Sequence, residues 1–406
     1  MPLLFTIAWR NITRNKYRSF ITISAIAIGF ASLLFVRAFV DGSHYQMIEN
    51  YTDLASGHIQ IHKKGFHANM SLVKNLAQDN SLSETLKNTT GVITTSSRIK
   101  ESVLLSSTEG STGALLIGVD PQNEPKVTKL NTRIKTGKFL TNDNEIVIGK
   151  SLAAILKAQL NDKIVIMGQG FDGSLASGVY RISGFLDTGA DEIDKGFALI
   201  TLKAAQELFV MDGRISEIAL RLNNVEKAKE IANTIKTNLN NNELEVLPWQ
   251  EISPIVIQWV EFDVAFINII LLIVLLVVAA GILNTLLMGI LERTREFGIM
   301  LALGTKPNLI MQMVGLESLL LGLIGVATGY FIGIISIIYF GSRGIDLSMF
   351  STALNSYYTG SIIYTRLAPG FLLQYGATVL ITSIIVSIYP AYRAANLKPV
   401  EAIYHI

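Results

Sequence analysis

Three features of this 406-residue chain have residue types at spacings that chemistry could use. Ile148-Gly-Lys-Ser151 has the closing residues of a phosphate-binding loop, in which backbone N–H groups and a lysine cradle phosphates. That loop needs a glycine five positions before Gly149, and Asn144 stands there, so the segment is expected to be a strand-to-helix turn. His58, His62 and His67 lie close together. His58, Gln60 and His62 share one face of a strand, where two imidazoles can converge on a metal. No carboxylate adjoins them, so a solvated strand face is the expectation. Glu317 interrupts a long apolar run, and an intramembrane carboxylate must find a partner, water or a proton. A structural hydrogen bond is favoured there over a proton-coupled site. There is no cysteine, no Ser-His-Asp set, no HExxH and no dinucleotide fingerprint. No active site, metal or cofactor is expected on this chain.

The elements that must position these residues are set by composition. Half the residues are hydrophobic and 16% are charged, against about 25% charged in soluble domains. Net charge is +2, too little excess to favour nucleic acid. Uncharged runs cover 20–36, 264–291 and 370–391, and 309–340 is broken only by Glu317. About 20 residues cross a bilayer, so four spans are expected: helix 1 at 20–40, helix 2 at 264–291, helix 3 at 309–340 and helix 4 at 370–391. The second run is long enough to project beyond the membrane. A short loop, 341–369, joins the last two.

Arg10, Arg14, Lys16 and Arg18, then Arg293, Arg295 and Lys306, then Arg393 and Lys398 flank these spans on one side. The positive-inside rule makes that side the cytoplasm, with both termini there. No small-x-small cleavage site follows Val36, so the first span reads as a retained anchor.

Residues 41–263 then lie outside, as a soluble α+β insertion. Gly57–His62 alternates as a half-buried strand. Ser216–Leu222, a helix over Val225–Leu239 and Leu244–Leu247 form a β-α-β unit. Between 101 and 211 the texture changes to short strands separated by Gly, Asp and Asn turns, a β-rich insert in an α/β frame.

On the inside, residues 1–19 form an amphipathic interfacial helix. Leu4, Phe5, Ala8, Trp9 and Ile12 lie on one face, and Arg10, Arg14 and Arg18 on the other. The loop 292–308 carries a short helix with Phe297, Met300 and Leu301 as an apolar stripe able to dock another protein. Gly304 caps it and Pro307 stops it. Gly325, Gly329 and Gly333 recur every four residues, offering a ridge for close helix packing.

Glu292-Arg-Thr-Arg-Glu-Phe-Gly298 followed by Ala302-Leu-Gly304 resembles the coupling-helix signature of FtsX-like (MacB/LolC/LolE-type, type VII) ABC transporter permeases. Tyr389-Pro-Ala-Tyr-Arg-Ala-Ala-Asn-Leu-Lys-Pro-Val-Glu-Ala-Ile403 resembles that family's ending, and Trp9–Arg18 its interfacial helix. The one-plus-three span layout also matches. Phe297 departs from the Ile or Val usual there. Gly57–Ile61 looks most like the lipoprotein-releasing branch.

The resemblance implies an α-helical membrane protein with four transmembrane helices and a large α+β periplasmic domain inserted between helices 1 and 2. That domain would divide into a Porter-like part (45–100 and 212–250) and a Sabre-like insert (101–211). It implies a non-catalytic permease subunit in a bacterial inner membrane, working by mechanotransmission. A cytoplasmic ABC ATPase dimer holding ATP and Mg would dock on Glu292, Arg293, Thr294, Arg295, Glu296, Phe297 and Gly298. A second permease chain, homo- or heteromeric, and a periplasmic chaperone or adaptor are the other implied protein partners. Lipoprotein release is the expected function. Its acyl chains would meet Phe35, Arg37, Phe39, Met47, Phe262 and Phe266 near the outer ends of the first two spans. The alternatives are MacB-like efflux of peptides or small amphiphiles, and an FtsX-like regulator of a cell-wall hydrolase.

Overall fold

The computed structural model describes residues 2–78, 80–350, 354, 358, 360–367 and 369–403. Residues 404–406 of the tail and parts of the 341–369 loop lie outside them. Helix α1 (Pro2–Arg14) is followed at once by α2 (Lys16–Tyr51). After the external region come α3 (Pro254–Glu292), α4 (Thr294–Ala302), α5 (Pro307–Arg343), α6 (Pro369–Ala395) and α7 (Pro399–Ile403). Four of them, α2, α3, α5 and α6, are long and apolar enough to cross a bilayer. With 36, 39 and 37 residues, α2, α3 and α5 measure about 54–58 Å at 1.5 Å per residue. All three exceed the roughly 30 Å hydrocarbon core and outrun the uncharged runs that mark them. Pro307 does not merely end the preceding helix. It is the first residue of α5, where its missing N–H costs nothing.

The chain divides into two units. The first comprises Met1–Ser43, Val260–Asp346 and Ile362–Ile406. Within it, α2 and α5 run parallel and closely apposed. A Cβ added at Gly325 would lie 2.6 Å from Ile26, one at Gly329 would lie 2.9 Å from Phe30 and from the Ala27 carbonyl, and one at Gly333 would lie 3.1 Å from Leu34. The glycine ridge thus receives large side chains spaced four apart on α2. This is the small-residue packing that draws membrane helices together without a hydrophobic driving force. Helix α3 runs antiparallel to α2, with Gly29 against Val274 and Val278 and the Thr22 and Thr285 hydroxyls hydrogen-bonded. Val278, Ile282, Leu286 and Ile290 are buried along its packed face. Phe266, Ile269, Ile273 and Leu276 are exposed on the other. Helix α6 lies antiparallel on α5, where Ser318 Oγ donates to Ser383 O at 2.8 Å and the Tyr330 hydroxyl donates to Leu372 O.

The second unit comprises His44–Trp259 and Leu347–Ser361. Its strands are β1 (Ile59–Lys63), β2 (Val92–Ser106), β3 (Ser111–Val119), β4 (Ile134–Gly137), β5 (Glu145–Gly149), β6 (Lys163–Gln169), β7 (Leu175–Leu186), β8 (Phe197–Thr201), β9 (Glu217–Leu222) and β10 (Leu244–Pro248). The sheet order is β10-β1-β9-β2-β3-β8-β5-β7-β4, with β6 bridging β7 back to β2. The ladders β2-β3-β8-β5-β7-β6 therefore close into a ring of six strands. A division at 100/101 cuts through β2, because its first half pairs with β9 and its second with β6. One unbroken strand belongs to both the frame and the insert.

In the frame, β9, the helix Ala228–Leu239 and β10 form a β-α-β unit, and β1 lies between its two strands, antiparallel to each. Ala228, Ala232 and Ile235 bury one stripe of that helix. Residues 148–151 turn from β5 into a short helix that begins at Lys150, and the Lys150 ammonium pairs with Asp187 at 3.1 Å.

Candidate coupling site

Helix α4 is short, and which face it shows decides what it can dock. The stripe Phe297–Met300–Leu301 faces inward, contrary to the expectation of an exposed docking stripe. Phe297 is 0% exposed and shares a core with Ala391, Ala394 and Ala395 of α6, and Met300 and Leu301 pack against the same core. Helix α7, with Ala402 buried, also lies against α4. The alanine-rich tail is therefore the seat of α4, since small side chains allow a large ring to be buried there. The outward face carries Arg295, Ile299 and Leu303, the last 83% exposed. Gly304, at φ +88°, sits just beyond the helix end, a conformation that suits glycine.

The end of α3 and the start of α4 are tied by ions to α1, α2 and α5. Arg14 of α1 pairs with Glu296 at 2.9 Å. Asn15 donates to Glu292 at 3.2 Å, and Arg18 of α2 pairs with the same carboxylate. Arg293 is 7% exposed, so it is not the surface charge its place in a basic loop suggests. Its Nε meets Glu296 at 3.0 Å, its Nη1 meets Glu317 of α5 at 3.3 Å, and its guanidinium lies 4.9 Å from the Phe297 ring centre. Asn11 of α1 donates to the same Glu317 oxygen at 3.5 Å. The carboxylate in the third span thus has its partners in the coupling segment and in α1. Burial pushes the Glu296 carboxyl up, but hydrogen bonds from Arg293 and Arg14 outweigh it and hold it below its ordinary value. Thr294 bonds back to the Ile290 carbonyl at 3.1 Å, and Gly298 is buried.

The residues expected to meet acyl chains do not form one patch. Phe35 meets Phe340 of α5 edge-on, ring centres 5.4 Å apart. Arg37 pairs with Asp41 at 2.9 Å and lies 5.9 Å from the Phe371 ring of α6. Phe35 thus looks toward α5 and Arg37 toward α6. Phe262 and Phe266 are exposed on α3, Phe39 is half-buried, and Met47 is buried. Leu4, Ala8 and Ile12 carry the packed face of α1, while Phe5 and Trp9 are exposed.

Family models match nearly the whole chain in two parts: a MacB-like periplasmic core domain over residues 19–238 and an FtsX-like permease C-terminal domain over residues 268–399. The chain belongs to the family of MacB-like, FtsX-like (type VII) ABC transporter permeases. The lipoprotein-releasing system transmembrane protein LolC of Neisseria meningitidis is 22% identical, over 96% of this chain and 95% of that one. The macrolide export ATP-binding/permease protein MacB of Campylobacter jejuni is 24% identical, over 98% of this permease and 61% of MacB. The Bacillus subtilis ABC transporter permease YknZ is 24% identical over 99% of both chains.

The permease also holds a buried ionic cluster that reading the sequence missed. His58, Gln60 and His62 are buried, not solvated. They lie on the polar face of the frame, with His62 in register with Glu217 and with Glu245. Arg98, 1% exposed, donates to Glu124 at 2.6 and 3.0 Å, to Glu217 at 3.0 Å and to the Ala55 carbonyl at 3.1 Å. Lys100 meets Glu217 at 2.9 Å, and Thr128 donates to Glu124 at 2.7 Å. Asp53 pairs with Arg221 and Lys129. The segments 52–56 and 120–129 thus cover a charged sheet face in which cations and carboxylates are matched. Burial raises Glu124 and Glu217, but Arg98, with Lys100 for Glu217, overrides it and leaves both below the usual carboxylate range. Burial pulls Lys100 down, against the attraction of Glu217. His62 Nδ1 lies 3.2 Å from Glu245, and no metal-holding cluster exists among the described residues. The signal in the sequence was Arg98 and Lys100, two cations on one face of a strand with the buried Ile99 between them.

Proposed function

We propose that this permease is the membrane subunit of an ATP-driven machine that draws lipoproteins out of a bacterial inner membrane toward a periplasmic acceptor. Both termini would be cytoplasmic. ATP and magnesium belong to a separate ATPase dimer in this reading. That dimer presses on Arg295, Ile299 and Leu303, the outward face of α4. A second permease chain lies along the exposed face of α3, next to Phe262 and Phe266, where acyl chains enter from the lipid. The observation that supports a mechanical role is the clamp at α4. Its inner face packs on α6 and α7, its first turn is ion-paired to α1 and α5, and its outer face is open, so a push on α4 loads α5 and α6 together.

The lipoprotein substrate rests on the near-full-length similarity to LolC, and MacB-like efflux is the second reading because the MacB similarity covers as much of this chain. Two measurements test the proposal. Arg295→Glu with Leu303→Asp, both exposed, should abolish ATPase copurification while the permease remains folded. A photo-crosslinking residue at Phe266 should capture lipoprotein in cells, and one at exposed Ile338 on α5 should capture much less. Unchanged ATPase binding refutes the docking face. Capture of soluble peptides in place of lipoprotein at Phe266 transfers the reading to efflux.

A further inference from the structure

The α2–α5 seam is tight where the glycines are, from Gly325 to Gly333. On one flank of it the side chains part and leave an open groove of about 420 Å³. Ala31, buried, and Ile28 and Ile332, both exposed, line it, and the Phe35–Phe340 pair marks one end. Its polar groups are the hydroxyls of Ser32 and Ser336, and Ser336 already donates to the Ile332 carbonyl at 2.9 Å. Such a lining asks a ligand for contact area and nothing else.

The charge sits beyond the end of the groove. Ile332, Ser336 and Phe340 are spaced four apart, and Arg343 follows three later, so all four rise on one face of α5. They span about 16 Å at 1.5 Å per residue. Arg343 is exposed, its guanidinium 5.2 Å from the Tyr339 ring centre and its Nη1 donating to the Tyr339 hydroxyl at 3.3 Å. No carboxylate pairs with it among the described residues. It ends α5 on the side away from the coupling helix, where a lipid headgroup would lie.

We propose that this groove binds one acyl chain of an anionic phospholipid, with the lipid phosphate on Arg343. A 420 Å³ groove spread over about 12 Å of helix has a cross-section of about 35 Å². That is well below the roughly 80 Å² of a helix 10 Å across. A polymethylene chain fits within it, whereas a helix of a second copy would only lie across its mouth. In a bilayer the chain gains little by leaving bulk lipid, so selectivity comes from the headgroup. A lipid with net negative charge satisfies the lone guanidinium better than a zwitterionic one. An arginine stem can lie along apolar surface with its charged end at the interface.

The test uses the full chain in mild detergent and native mass spectrometry, titrated with phosphatidylglycerol or phosphatidylcholine. The wild type should retain one phosphatidylglycerol in preference to phosphatidylcholine by fivefold or more. Arg343→Gln should reduce that preference to about twofold or less. Ser336→Trp, which fills the groove, should lose the retained lipid of either kind. A phosphatidylglycerol with a photoreactive chain end should label peptides containing Ile28 or Ile332 in the wild type. If Ser336→Trp unfolds, the Arg343→Gln titration and the labelling site decide by themselves. Equal retention of both lipids by the wild type, labelling only elsewhere, or a two-chain species that excludes lipid from these peptides would overturn the proposal.

Discussion

Replacing Arg293 by methionine should damage the coupling site chiefly through the carboxylate left behind. The substitution keeps the long apolar stem and removes the charge. It breaks the bond to Glu296, which is half-exposed in its side chain, so that loss is about 0.2–1 kcal/mol. It removes the cation over Phe297, about 0.5–1 kcal/mol. The larger loss is at Glu317, whose side chain is 17% exposed. An uncompensated buried charge costs about 3–5 kcal/mol. Partial exposure and the surviving Asn11 contact reduce this to about 2 kcal/mol. Removing that carboxylate by Glu317→Gln in the Arg293→Met background should therefore restore about 2 kcal/mol. Glu317→Gln alone should itself destabilise, because it leaves Arg293 short of a partner. The assay is denaturation by SDS in mixed micelles, followed by tryptophan fluorescence, for the wild type, both single variants and the double variant. Strictly additive effects, with no recovery in the double variant, would show that the two groups do not sense each other and would refute the clamp.

Other outcomes follow from the same geometry. Arg98→Met should destabilise the external unit by about 3–5 kcal/mol, read by urea denaturation, because Glu124 and Glu217 lose their shared cation. Below the unfolded carboxylate value near pH 4.3, the stability owed to those two depressed groups should fade as they protonate. His58 gives a separate pH window. Its Nδ1 accepts from Leu222 N at 3.1 Å, and burial together with Arg221 lowers its pKa to about 4. The unfolded state then binds the extra proton as pH falls from about 6.5 toward 4, so stability should drop by about 3 kcal/mol over that range. His62, also lowered by burial, adds in the same direction. His58→Gln should flatten the slope, and an unchanged slope would exclude His58 as its source. Gly329→Ala places a Cβ 2.9 Å from the Ala27 carbonyl and should cost about 1–3 kcal/mol in a thermal or SDS assay, whereas Gly281→Ala, which meets nothing within 4 Å, should be silent. For orientation, a cysteine at exposed Ser174 should react with an impermeant thiol reagent added outside, and one at exposed Asn396 should not; the reverse pattern inverts the proposed topology.

The sequence alone determined that there are four spans, because uncharged runs of bilayer length admit few other structures. It also marked most strands of the external unit, since Gly, Asn and Asp turns punctuate short apolar runs. It placed a short helix between Glu292 and Pro307. It did not decide which side of α4 faces out. That helix is only nine residues long and apolar on both sides, with Phe297, Met300 and Leu301 on one and Ile299 and Leu303 on the other. Periodicity finds an apolar face, but only a packing partner makes it an inside, and the partner here comes from residues 391–402, about a hundred positions away. The same reason explains the histidine strand. Alternation says that two faces differ, and not that the polar one meets water. On β1 the polar face is roofed by residues 52–56 and 120–129, and its charges are matched across three strands by groups remote in sequence. The glycine ridge was visible as a period of four, but its complement, Ile26, Phe30 and Leu34, could be named only once the tertiary structure had laid α2 along α5.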